Sequence, residues 1–110
     1  MEKNIFKESD WKLYRKKMPR WQEAYMEQLI GEYAKLLVSS KPASEKFWTL
    51  NERMCKDLKH IGVQVRMSRS TMINNLIVLL ADGLISFENI KDFSPALQEH
   101  LKLTLEYLGH

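Results

Sequence analysis

Apolar and polar residues alternate along most of the chain with the period of an α-helix. Steps of three and four residues between large apolar side chains recur from the first tryptophan to the last leucine, and we therefore predict an all-α fold, a bundle of four to five helices. The predicted helices are Asp10–Met18, Pro19–Val38, Ala43–His60, Arg69–Asp82, a brief one after Ser86, and a last one that begins at Ser94–Pro95.

The predicted boundaries rest on capping residues and on helix breakers. Ser9, Ser68 and Ser94 occupy N-cap positions, where a short side-chain oxygen accepts hydrogen bonds from the first free backbone N–H groups. Pro19 predicts a break or kink, because proline pushes the residue before it away from helical angles. Gly83 follows the fourth segment and is suited to the left-handed conformation that ends helices.

The apolar faces predict which surfaces pack together. The main stripe of the segment Ala43–His60 consists of Phe47, Leu50, Met54, Leu58 and Ile61, with Trp48 and Cys55 beside it. Such a stripe packs inside the bundle or, where it is exposed, marks a docking surface. The segment Ser68–Asp82 is apolar around most of its circumference and is therefore expected near the centre of the bundle. For the methionines, core filling is the first interpretation and an adaptable binding surface is the second.

Residues 62–67 follow a different pattern. Val63, Val65 and Met67 alternate with Gln64 and Arg66, a period of two that indicates an extended link or a short edge strand. An exposed edge of this kind could pair with its copy in a second subunit or with a strand of another protein.

The 110 residues and their composition fit one helical domain spanning the whole chain, with residues 1–8 as a flexible arm. The net charge of +3 is unevenly distributed, since residues 1–20 carry seven basic and three acidic side chains. Two interpretations of this uneven charge are open. The charges belong to solvated helix faces, or they form a basic surface that binds an acidic partner, including nucleic acid. A single cysteine, no signal-peptide pattern and no long apolar run predict a cytoplasmic protein without a membrane span.

The sequence contains no recognisable catalytic, cofactor-binding or metal-binding constellation. It has no Gly-rich phosphate loop and no Cys-x-x-Cys pair, and its three histidines lack the spacing of zinc ligands. Cys55 follows Trp48 by seven residues on the predicted helix, which favours a buried and inert thiol. We therefore expect a protein that is not an enzyme and that holds no cofactor.

One segment suggests contact with nucleic acid. Met67–Ile85 resembles the recognition helix of winged-helix regulators, in which a polar N-terminus faces DNA and the helix ends in Leu-x-x-x-Gly-Leu-Ile. This resemblance implies contacts to phosphates and adenine edges from Arg66, Arg69, Ser70, Thr71, Asn74 and Asn75. The same residues also serve as an ordinary capped core helix in which Asn74 and Asn75 face water.

A wider resemblance spans about residues 11–105. The stretches Trp21–Met26, Ser44–Trp48 and Ser68–Met72 are similar to a family of small, uncharacterised, all-helical bacterial proteins, which are sometimes labelled transporters. The resemblance implies a helical fold and no site residue. The leading functional hypothesis is a non-enzymatic protein-interaction or regulatory protein, with another protein or a second copy of itself as partner. The alternative is a helix-turn-helix DNA-binding regulator that uses the helix 69–82.

Overall fold

The computed structural model describes residues 5–109, and the secondary structure in this range is helical. It has four α-helices: α1 (Glu8–Leu37), α2 (Ala43–Asp57), α3 (Arg69–Ala81) and α4 (Pro95–Tyr107). A 3-10 helix, Phe87–Ile90, lies between α3 and α4. No strand occurs within residues 5–109, so the prediction of an all-α fold is confirmed.

Helix α1 differs most from the prediction, because it is one continuous helix of 30 residues with Pro19 inside it. Proline has no N–H to donate to the carbonyl of Arg15, but both residues lie on the exposed side of α1, where water can bind that carbonyl. Buried residues on either side of the expected break, Tyr14 and Met18 at 0% and Leu29 at 6% exposed, hold the helix in place. The expected break after Met18 is therefore wrong.

The start of α1 also corrects the prediction, since the helix begins at Glu8 and Ser9 is not its cap. Instead, the buried Asp10 carboxylate accepts a hydrogen bond of 2.9 Å from the backbone N–H of Lys7. The same carboxylate accepts two more from Ser94, from its N–H at 2.7 Å and from its hydroxyl at 2.6 Å. Of the predicted arm 1–8, residues 1–4 lie outside the described residues and Glu8 is already helical.

Contacts along the chain group into two compact units, and the first combines the chain up to Trp21 with the chain from Arg66 onward. Helix α3 contributes three apolar residues with 0% exposure to this unit, Met72, Leu76 and Leu79, which agrees with its largely apolar sequence. The facing stripe of α4 consists of buried Leu97, Leu101 and Leu105. These residues form the apolar core of the first unit.

The connection from α3 to α4 follows the predicted capping chemistry. Gly83 has φ +78° and ends α3 in the left-handed conformation. Ser86 and Asn89 form a capping box around the 3-10 helix, and the flanking Ile85 and Ile90 are both buried. Ser94 caps α4 by accepting a hydrogen bond of 3.4 Å from the N–H of Leu97.

The second unit is Gln22–Val65, which contains the C-terminal part of α1, a short connection and α2. We call it the hairpin, because Gln22 contacts Ile61 while Leu37 contacts Lys46, which makes the two helices antiparallel. After α2, residues 61–63 form a turn and residues 64–68 are irregular. The expected edge strand in residues 62–67 is not formed, since the described chain offers it no second strand to pair with.

Candidate interaction surface

Helix α2 has no buried residue, although its sequence is strongly amphipathic. Phe47 is 65% exposed, Met54 51% and Leu58, the residue that caps the helix, 56%. Trp48, on the neighbouring side of the helix, is 63% exposed. Of the two interpretations of this stripe, the structure favours the exposed one, because within Gln22–Val65 only one other helix is present to cover it.

Helix α1 contributes a matching apolar stripe to the hairpin. Met26, Ile30, Tyr33 and Leu37 follow one another at steps of four, three and four residues, which places them on one side of the helix. Ile30 is 62% and Leu37 50% exposed. Leu29 is the one buried apolar side chain among residues 22–65, all of which the structure describes. The hairpin therefore has almost no core of its own.

The two stripes converge on a common apolar groove. A cavity of about 260 Å³ lies between the helices, lined by Met26, Ile30 and Tyr33 from α1 and by Met54, Leu58 and Val63 from the α2 side. Leu37 extends this surface along α1, and Phe47, seven residues before Met54, extends it along α2. We call the surface formed by Met26, Ile30, Leu37, Phe47, Met54 and Leu58 the hairpin face.

Polar contacts join the two helices at the groove, whose lining includes Tyr33 and Asp57. The Tyr33 hydroxyl donates a hydrogen bond of 2.5 Å to the Asp57 carboxylate. Arg53 donates to Glu32 at 2.6 Å and lies 3.7 Å from Asp57, with its guanidinium above the Tyr33 ring. Burial, and then the hydrogen bond to Asp57, raise the pKa of Tyr33 to about 12. These contacts fix the orientation of the two helices without covering their apolar sides.

Of the six residues predicted to contact nucleic acid, Asn75 is buried and the other five are exposed. Arg69 donates two hydrogen bonds to Glu8, of 2.7 and 3.3 Å, and its guanidinium lies over the Trp11 ring. Asn75 is only 6% exposed, and its amide donates to the Tyr14 hydroxyl at 3.0 Å. The expectation that Asn75 faces water is therefore wrong, and in this arrangement its amide cannot reach a base edge.

The other predicted contacts lie before α3 or within its first two turns. Ser70 and Thr71 are exposed, but both share hydrogen bonds with the Ser68 hydroxyl, at 3.2 and 2.9 Å. Asn74 and Arg66 are exposed as well. Eleven residues separate α2 from α3, which is much longer than the three- or four-residue turn of a helix-turn-helix motif. A nucleic-acid role for these residues stays a prediction.

A basic stripe on α1 was visible in the sequence only as an excess of charge. Lys12, Arg15, Lys16 and Arg20 are all exposed, and no acidic residue lies between Asp10 and Glu23. Steps of three and four residues place these four cations on one side of the helix. Counting charges over residues 1–20 predicts the basic excess, but not that these four cations lie on a single helical surface.

Cys55 and His60, two side chains with nucleophilic or metal-binding chemistry, both lie in the hairpin. Cys55 is exposed, which contradicts the predicted buried thiol, and its sulfur lies 4.0 Å from the Asn51 side-chain oxygen. His60 accepts a hydrogen bond of 2.9 Å from the N–H of Gly62 and contacts the Tyr25 ring. No group of three or more His, Cys, Asp or Glu residues within 5–109 is arranged to hold a metal ion.

Comparisons with known proteins found no match among protein-family models, curated proteins or solved structures. The resemblance to a bacterial helical family therefore stays a prediction. Among residues 5–109, no helix combines the length and the apolar character that crossing a membrane requires.

Proposed function

We propose that the protein is a non-enzymatic protein-interaction protein that binds its partner through the hairpin face. The observation that carries this proposal is the contrast within Gln22–Val65 between one buried apolar side chain, Leu29, and a continuous exposed apolar surface on both helices. Contiguous exposed apolar patches on monomeric proteins are commonly sites of interaction with other proteins.

The energetics of the hairpin support a partner. Large apolar side chains have roughly 200 Å² of surface each, and five members of the hairpin face and Trp48 expose between 50% and 65% of theirs. Together they present roughly 700 Å², close to the ~800 Å² that each partner contributes to a standard interface. A partner that covers this surface would also supply the core that the hairpin lacks, and would stabilise it by mass action.

Site-specific photocrosslinking in the native cell tests this proposal. A benzophenone amino acid replaces Met54 in the hairpin face and, as a matched control, Leu103 on α4, which is 54% exposed and lies outside the face. We expect a discrete protein adduct from position 54 and none from position 103. Equal labelling from both positions, or no adduct from position 54, would contradict the proposal.

A second candidate function, contact with nucleic acid, draws support from the basic stripe Lys12, Arg15, Lys16 and Arg20. Cations at steps of three and four residues suit a phosphate backbone, and binding through them would weaken steeply with salt. The test compares duplex binding at several salt concentrations by wild type, Arg15→Ala/Lys16→Ala and Arg69→Ala. This candidate predicts that the slope of the logarithm of the binding constant against the logarithm of the salt concentration falls by about one for each stripe cation removed. No duplex binding at low salt excludes it.

A further inference from the structure

The hairpin face has the geometry of half of a four-helix bundle. Its two helices are antiparallel, and each presents apolar residues on one side. These are Met26, Ile30, Tyr33 and Leu37 on α1, at steps of four, three and four residues, and Phe47, Met54 and Leu58 on the α2 side, at steps of seven and four. This spacing is typical of helices that pack against more than one neighbour in a bundle. The hairpin supplies only one such neighbour for each helix.

The charges of the two chain segments that contain these helices make the hairpin complementary to itself. Residues 22–40 carry three glutamates and one lysine, a balance of −2, whereas residues 41–65 carry five cations and three carboxylates, a balance of +2. In a dimer of hairpins with the two-fold axis parallel to the helices, α1 of each copy lies between its own α2 and the α2 of the other copy, and all neighbours are antiparallel. Helix α2 itself carries three cations and three carboxylates, and the surplus cations of its segment, Lys41 and Lys59, lie just outside its ends. Each acidic α1 segment then lies between two segments with surplus cations, which favours this pairing over one that places like helices side by side.

The area of the surface agrees with a dimer as well. The roughly 700 Å² presented by the hairpin face and Trp48 would be matched by the same area on the second copy, giving roughly 1,400 Å² in total, within the range of stable, specific interfaces. From the self-complementary charge and this area, we infer that the partner of the hairpin face is a second copy of the chain, with the two hairpins forming an intermolecular four-helix bundle. This inference rests on the proposed function and names its partner.

The contacts within the hairpin predict one pair of charges across the dimer. Glu32 lies opposite Arg53, and Gln22 lies opposite Ile61, so Glu27, midway between Gln22 and Glu32, is level with residue 57, two residues before Lys59. Glu27 and Lys59 are both exposed, and no ion pair joins them within the described chain. In the two-fold bundle, Glu27 of one copy lies about two residues from the level of Lys59 of the other, a distance that these two long side chains can span.

Sedimentation equilibrium of the full chain, from about 1 to about 100 μM, tests the inference in the concentration range where dimers of this interface size assemble. We expect a dimer for wild type and a dissociation constant at least tenfold higher for Met54→Glu, which shifts that variant towards the monomer. Leu103→Glu, the matched control, should leave the dimer unchanged. Glu27→Lys and Lys59→Glu should each weaken the dimer, and the double variant Glu27→Lys/Lys59→Glu should restore it. Circular dichroism verifies that each variant keeps its helices.

The outcomes separate this inference from the proposed function. A monomer throughout the concentration range, or a dimer that Met54→Glu leaves intact, overturns the second copy as the partner. If Met54→Glu unfolds the chain, the variants Glu27→Lys and Lys59→Glu test the dimer instead, because they leave the apolar face unchanged. Failure of the double variant to restore association then overturns the inference. A crosslink from position 54 to a different protein, together with a monomer in solution, retains the proposed function and rejects the dimer.

Discussion

The side-chain amide of Asn75 donates a hydrogen bond of 3.0 Å to the hydroxyl of Tyr14, which lies 61 residues earlier in the chain. Both side chains are buried, Tyr14 completely. The bond joins α1 to α3 inside the first unit and satisfies two polar groups in an otherwise apolar environment. Thr71, whose hydroxyl lies 3.5 Å from the same amide, gives Asn75 a second, longer contact.

We expect Asn75→Leu to lower the free energy of unfolding by about 1–3 kcal/mol, because it leaves the buried Tyr14 hydroxyl without a partner. The double variant Tyr14→Phe/Asn75→Leu should recover much of that loss, since both polar groups are then removed. Urea unfolding of the single and double variants measures the coupling. The exposed neighbour Asn74 provides the control, and Asn74→Leu should change stability by no more than about 0.5 kcal/mol.

Asp10 should be among the most sensitive positions in the first unit. Its buried carboxylate accepts three hydrogen bonds, one from Lys7 and two from Ser94, and thereby links the start of α1 to the start of α4. We expect Asp10→Ala to lower the free energy of unfolding by about 2–4 kcal/mol, since hydrogen bonds to charged groups are the stronger kind. Thermal unfolding checks this. Asp92→Ala, which removes an exposed carboxylate 4.0 Å from Lys17, should have little effect.

Tyr33 should ionise late in an alkaline titration. Burial and the Asp57 carboxylate raise the pKa of its hydroxyl from 10.0 to about 12. Because the folded-state pKa is raised, the stabilisation is fully present below pH 10 and is lost as the pH rises towards 12. The ultraviolet absorbance of phenolate, compared between wild type and Tyr33→Phe, isolates this group. Asp57→Asn should lower the pKa of Tyr33 only in part, since burial is the larger cause; a Tyr33 midpoint near 10 in wild type would contradict this account.

Pro19 should cost α1 stability without breaking it. Proline in a helix interior removes one backbone hydrogen bond and is about 3 kcal/mol less favourable than alanine. Because the side chain at this position is exposed, Pro19→Ala restores the N–H for the Arg15 carbonyl without opening a cavity. We expect a gain of about 1–3 kcal/mol in the free energy of unfolding, measured by chemical denaturation. An unchanged or lower stability would show that the chain before Pro19 is not in helical continuity with the chain after it.

The sequence by itself determined the class of fold and most of the helix boundaries. The caps at Ser86 and Ser94, the stop at Gly83 and the leucine stripe of α4 depend on neighbours within one or two turns, so local chemistry was sufficient to place them. The break expected at Pro19 was wrong for the converse reason. Local preference opposed the helix there, and buried residues on both sides of the proline outweighed it.

Only the tertiary structure decided which apolar faces are covered. The stripes of α2 and α4 look alike in sequence, yet Leu97 and Leu101 are fully buried while Phe47 and Met54 are more than half exposed. Periodicity specifies that a helix has an apolar side, but not whether another element reaches that side. The position of Asn75 shows the same limit, since its burial depends on Tyr14, far away in the chain. Burial is a property of the whole folded assembly, and for this reason the hairpin face emerged from the structure alone.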